Sequence, residues 1–182
     1  MGKSNDLFSS VVRQVLALDS DEAYSRLVVS GTGRAAAKSI LSSLKPADLD
    51  SDNQRAAVAG LWLWHDWLAE SHAISQSLHT PAGSYWHAIL HRRDGDFWNS
   101  KYWYARIGDH PALSALAARA RGNPSLSPIL PNGFDSAAFV DLVEKIHHAP
   151  SDPRHPLAVS IQRLEWQTLF EFCINEPRTT NN

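Results

Sequence analysis

His87 and His91 stand four residues apart in "YWHAILHRR", a spacing that puts two imidazoles on one face of a helix within reach of a single metal ion. Six of the nine His and six of the seven Trp fall between Ser51 and His110, which makes this stretch the place to look for function. His65 and His72, seven apart and flanked by Asp66 and Glu70, are two more candidate ligands or an acid/base pair. The motif is not that of a zincin, because Ala88 occupies the place where HExxH carries its general-base Glu. The competing reading of each His is a core ring bonded to a carbonyl or carboxylate.

Charge and aromatic residues follow at once. Arg92, Arg93 and Arg106, with Lys101, can hold an anionic substrate through guanidinium forks, and the neighbouring Asp94 and Asp96 can equally neutralise them. Tyr85, Trp86, Trp98, Tyr102 and Trp103 are core candidates that also suit the walls of a ligand pocket. In "IQRLEWQTLF" Glu165 is bracketed by Leu164 and Trp166; facing the histidines it would be a third ligand or general base, and otherwise an ion-paired boundary residue. Cys173 lies among Phe170, Phe172 and Ile174 as an inert core thiol, and it has no second Cys to pair with.

These residues need helices to position them. Leu7, Val11, Val12, Val15 and Leu16 recur at helical spacing, as do Ala35, Ala36, Ile40 and Leu44 beyond Gly31 and Gly33. A cap at Asp50, Ser51 or Asp52 opens the longest expected helix, roughly Asn53 to His79, which is apolar on most sides and therefore central. On it, Gly60, Leu63, Trp67, Ile74 and Leu78 form one stripe while His65, His72 and Gln76 share the other side. "YWHAILHRR" and "FWNSKYWYARIG", separated by "DGD", make two short helices, the second ending at Gly108. A helix begins at Pro111, an ordered loop runs from Gly122 to Pro131, and "FDSAAFVDLVEKIHH" and "HPLAVSIQRLEWQTLFEFCINE" supply the last two helices. No segment alternates at period two, so the class is all-α: a single globular domain over 1–182, with N-terminal helices in 1–50, a His/Trp-rich core in 51–121 and a C-terminal loop and helices in 122–182.

The run "YWHAILHRRDGDFWNSKYWYARIGDHP" resembles a family of bacterial and fungal proteins in which a WHAI-HRR block is followed by a D-F/Y-x-N-x-K-Y-W segment and a G-x-HP turn. The corresponding residues are Trp86 to Arg93, Asp96 to Trp103 and Gly108 to Pro111, with weaker likeness in "ESHAISQ" and "IQRLEWQTLFEFC". That family has no established reaction, so the resemblance implies that these blocks belong together and assigns no catalytic residue.

Composition narrows the partners. A net charge of -2 leaves no electrostatic footprint for nucleic acid, and no apolar run approaches a membrane span. The lone Cys and the absence of a signal-peptide h-region suit a cytoplasmic setting. The leading expectation is a small-molecule enzyme of hydrolase or lyase type, with a divalent ion (zinc, manganese or iron) on His65, His72, His87 and His91. In it His72, His87 and Glu165 are the catalytic candidates, and Arg92, Arg93, Tyr85, Trp86, Tyr102 and Arg106 bind the substrate. The alternatives are a non-catalytic ligand-binding module and a protein-interaction domain.

Overall fold

The computed structural model describes residues 3–130 and 133–175, and its described residues form nine α-helices and no strand. In chain order these are α1 (Lys3–Ala17), α2 (Ala35–Leu41), α3 (Asp52–Trp64), α4 (Leu68–Ser77), α5 (Pro81–Asp94), α6 (Phe97–Tyr104), α7 (Pro111–Arg121), α8 (Ser136–Ile146) and α9 (His155–Asn175). No helix among the described residues is long and apolar enough to cross a membrane.

Most starts and stops are written in side-chain chemistry. Ser51 caps α3 by accepting from the Gln54 amide, and Thr80 caps α5 by accepting from Gly83, with Pro81 in the first turn. Gly95 ends α5 in the left-handed conformation (φ 84°), its amide bonding to Arg92 O and the next amide, Asp96, to His91 O. Asp96 then caps α6 through the Asn99 amide, so two residues turn the chain from α5 into α6. Helix α6 stops at Tyr104, four residues before Gly108, where the sequence pattern placed its end.

Helix α3 is buried on every side from Ala56 to Trp64, and α5 is almost as deeply enclosed. They cross at Gly60, where a Cβ would lie 2.6 Å from the Trp86 ring; only glycine permits the approach. Helix α9 closes the third side, with Trp166 Nε1 donating to Gly60 O at 2.8 Å and its ring 4.4 Å from that of Trp64. A smaller apolar cluster of Leu27, Leu126, Phe139, Val143, Ile146, Ala158 and Ile161 joins α8 to the first half of α9. Leu126 reaches it from a 3₁₀ turn in the Gly122–Leu130 loop, which is therefore tied down at its middle.

The single helix expected over Asn53 to His79 is two helices, α3 and α4, and this alters the site. Asp66 adopts φ 65°, the Asp66 amide bonds to Leu63 O and the Trp67 amide to Trp62 O: the same helix-ending pattern as at Gly95, built on an aspartate. Tertiary partners hold it there. His65 O, released from the helix, accepts from the Arg34 amide at 3.1 Å, and Trp67 Nε1 donates to Arg34 O at 2.8 Å. The Asp66 carboxylate lies between Arg93, at 2.6 Å, and Arg26. The loop carrying Arg34 comes so close that a Cβ on Gly33 would sit 2.4 Å from His65 O.

Candidate metal centre

Three of the four histidines meet. His72 comes from α4, His87 and His91 from α5, and one ligand atom from each lies within 4.8 Å of the others. The His87 and His91 rings stack at 4.7 Å and 18°, the fixed result of their i,i+4 spacing, while His72 stands edge-on to both at 4.7 and 5.6 Å. Trp103 of α6 covers His87 from the other face at 4.2 Å. Asn99, one turn before Trp103, brings its Nδ2 to 3.1 Å from His91 Nε2, and Asp96 Oδ2 lies 3.8 Å from His91 Nδ1.

The environment keeps the two buried rings, His87 and His91, neutral. His87 and His91 are only 3 % and 7 % exposed, whereas His72 is half-buried at the outer edge. Burial, then His91 and His72, push the His87 imidazole down to about 4. Burial also lowers His91, with His72 adding to it and Asp96 and Asp94 opposing. At pH 7 both therefore present lone pairs, and the buried His87 Nδ1 meets no hydrogen-bond partner. Nitrogens about 2.1 Å from a zinc ion are about 3.4 Å apart, so the trio must close by roughly 1.4 Å, within the range of side-chain rotation.

The depressed His87 value has a consequence for stability. From the ordinary imidazole value of 6.5 down to about 4 the unfolded chain takes a proton that folded His87 refuses. The contribution is complete above the unfolded value and is lost as pH falls through that window, by on the order of 3 kcal/mol. Chelator-treated protein should melt at markedly lower temperature at pH 4.5 than at pH 7.5. Substitution His87→Gln should flatten that difference; an equally steep pH dependence in the variant would show that His87 is not its source.

His65 lies apart from the trio. It caps the C-terminal end of α3, just before the break at Asp66, where its Nε2 contacts Val15 O of α1 at 2.8 Å and burial lowers its basicity. The two arginines expected to anchor an anion are likewise internal. Arg92 is 0 % exposed and reaches Glu165 Oε2 at 2.6 Å and the Tyr104 hydroxyl at 2.5 Å. Burial alone would lower its pKa, but the facing Glu165, with Tyr104 and Tyr24, reverses this and holds the guanidinium above its ordinary value. Arg93, also 0 % exposed, reaches Asp66 and Leu63 O at 2.6 Å each and lies 3.9 Å over the Tyr24 ring. Their partners are thus distant in sequence and are not the adjacent Asp94 and Asp96.

Glu165 belongs to the same interior. Its carboxylate accepts from Tyr85 (3.2 Å), Tyr104 (2.6 Å) and Arg92, which engages both oxygens and, with its full burial, removes it from any solvent-facing chemistry. Burial raises both tyrosines well above their ordinary range, so both keep the proton they donate to Glu165, and the Tyr104 oxygen also accepts from Arg92. Trp86 is wholly buried against Gly60, and Tyr85 is in the core. Tyr102, on α6, and Arg106, in the turn that follows it, are the two expected substrate contacts that face solvent. Asn99 was not anticipated; its signal is the Asp96 cap, which sets the register of α6 against His91.

No family model, curated protein or solved structure matches this chain. The functional reading therefore rests on the geometry of the site.

Proposed function

We propose that the protein is a metal-dependent enzyme of hydrolase or lyase type, with one divalent ion held by His72, His87 and His91 and a small polar or anionic substrate. The observation that supports it is the convergence of three imidazoles from two helices, two of them depressed in basicity, with their ligand atoms within 4.8 Å of one another. Zinc suits an all-imidazole set best, with manganese and iron as the other candidates. Three protein ligands leave at least one position for water or substrate, the pattern of a catalytic centre and not of a closed structural one. Such an ion supplies a Lewis acid and lowers the pKa of water bound to it.

The chain's own residues do the rest. Trp103 and His91 hold the His87 ring from both faces, fixing its direction. The Asn99 amide touches His91 and can set which nitrogen faces inward. His72, half-buried on α4, closes the set from the solvent side and leaves an approach for substrate. Glu165, Arg92 and Arg93 have no part in it, since their charges are paired in the core, Arg92 with Glu165 and Arg93 with Asp66.

The test is turnover of 4-nitrophenyl acetate and bis(4-nitrophenyl) phosphate by the full chain loaded with zinc, manganese or iron(II). Turnover that disappears with chelator and in His72→Ala is the expected result. Rates equal to those of His72→Ala with every metal would remove the hydrolytic reading.

A further inference from the structure

Helix α6 turns one flank to the histidines and another to solvent. Asn99 and Trp103 meet His91 and His87, whereas Trp98 and Tyr102, each the preceding residue in the chain, form a ladder on the outside. Their rings stack at 5.9 Å and 22°. One turn further, Arg106 lays its guanidinium 3.3 Å from the Tyr102 ring centroid and donates Nη1 to Tyr102 O at 3.1 Å. Tyr102 is thus covered on both faces and Trp98 on one, leaving Trp98 76 % exposed.

An indole with this much open surface is unusual, since apolar area gains free energy by leaving water. Here it is not loose: Tyr102 stacks on it from behind and Arg106 in turn holds the Tyr102 ring by a cation–π contact, so less ordering is left to be done when a second ring arrives. The Cα atoms of Trp98 and Asn99 are about 3.8 Å apart, and the Asn99 amide is 3.1 Å from His91. A ring on Trp98 and a reacting group at the histidines thus lie on adjoining flanks of one helix, about 100° apart around its axis, which an arylalkyl molecule wrapped over α6 would span.

The geometry points to Trp98 as a stacking platform for an aromatic ring carried by the substrate of the histidine site. This inference rests on the metal-centre reading above and names the substrate class for it: an aryl or arylalkyl compound with a polar, metal-seeking group.

Three hydroxamates separate the two claims, because each chelates zinc through the same group and they differ in the ring. Acetohydroxamate reports the ion alone; benzohydroxamate and 3-phenylpropionohydroxamate add the ring at two distances. With zinc-loaded full chain, at least one aryl compound should bind about tenfold tighter than acetohydroxamate. The advantage should vanish in Trp98→Ala and largely persist in Trp98→Phe, with zinc content and acetohydroxamate affinity unchanged in both. Equal affinities for all three in the wild-type chain, or an aryl advantage that survives Trp98→Ala, overturns the platform while leaving the metal centre standing. A chain that takes up no zinc overturns the metal centre, and the platform with it.

Discussion

Alanine at both His87 and His91 is expected to reduce zinc from about one ion per chain to background, with the helical content retained. The physical basis is the ligand count: removing two of three imidazoles leaves His72 alone, and one exposed-edge histidine does not hold zinc against buffer. Even outer-sphere partners of metal ligands cost about 10- to 100-fold in affinity when lost, so His72→Ala alone should weaken binding by at least about a hundredfold. His65→Ala should leave zinc content untouched, because its ring is bonded to Val15 O of α1 and is not among the three that converge. Metal analysis of dialysed protein, with circular dichroism on the same samples, reads all three. Equal zinc in wild type and the double variant would end the proposal, and zinc lost in His65→Ala with the fold intact would mean that the site is drawn in the wrong place.

Glu165→Leu should be the most destabilising single change in the interior. It leaves the Arg92 guanidinium at 0 % exposure without its counter-charge and removes the acceptor of Tyr85 and Tyr104. Loss of one partner of a buried ion pair costs about 3–5 kcal/mol, since the remaining charge can neither hydrate nor neutralise easily. Arg92→Met should be harmful for the mirror reason. The double change Arg92→Met with Glu165→Leu should recover much of the loss, because two apolar side chains need no partners. Urea unfolding of the four proteins gives the coupling directly, and a coupling near zero would mean that the pair does not act as a unit. Zinc content of folded Glu165 variants should equal that of the wild type; a selective loss of metal would return Glu165 to the site.

The helical class and most helix ends were legible because their causes are local. Apolar spacing along Leu7 to Leu16, the Ser51 cap and the DGD turn that holds Gly95 act within a few residues of themselves, and the structure uses each of them, whereas α5 starts at Pro81 behind the Thr80 cap and not at Tyr85. The same locality made the His87–His91 pair visible, since i,i+4 on one helix is a geometry that spacing alone dictates.

What spacing could not supply was the set of partners across the fold. Two helices end by the same hydrogen-bond pattern, at Gly95 and at Asp66, but only the glycine announces it. At Asp66 a residue that ordinarily avoids φ > 0 is held there by Arg26 and Arg93 and by Arg34 bonding to His65 O, contacts that span between 27 and 40 residues of chain. That break leaves His65 at the end of α3 against Val15 and frees α4 to bring His72 against α5, so it decides which histidines meet. Arg92 illustrates the same limit: its charge invited pairing with the nearby Asp94 and Asp96, yet its partner is Glu165, 73 residues away. Sequence thus determined the helices, the clustered chemistry and one pair of imidazoles. Tertiary structure chose the third imidazole and buried the arginines, because long-range hydrogen bonds and charge pairs outweigh local propensity wherever the chain is folded onto itself.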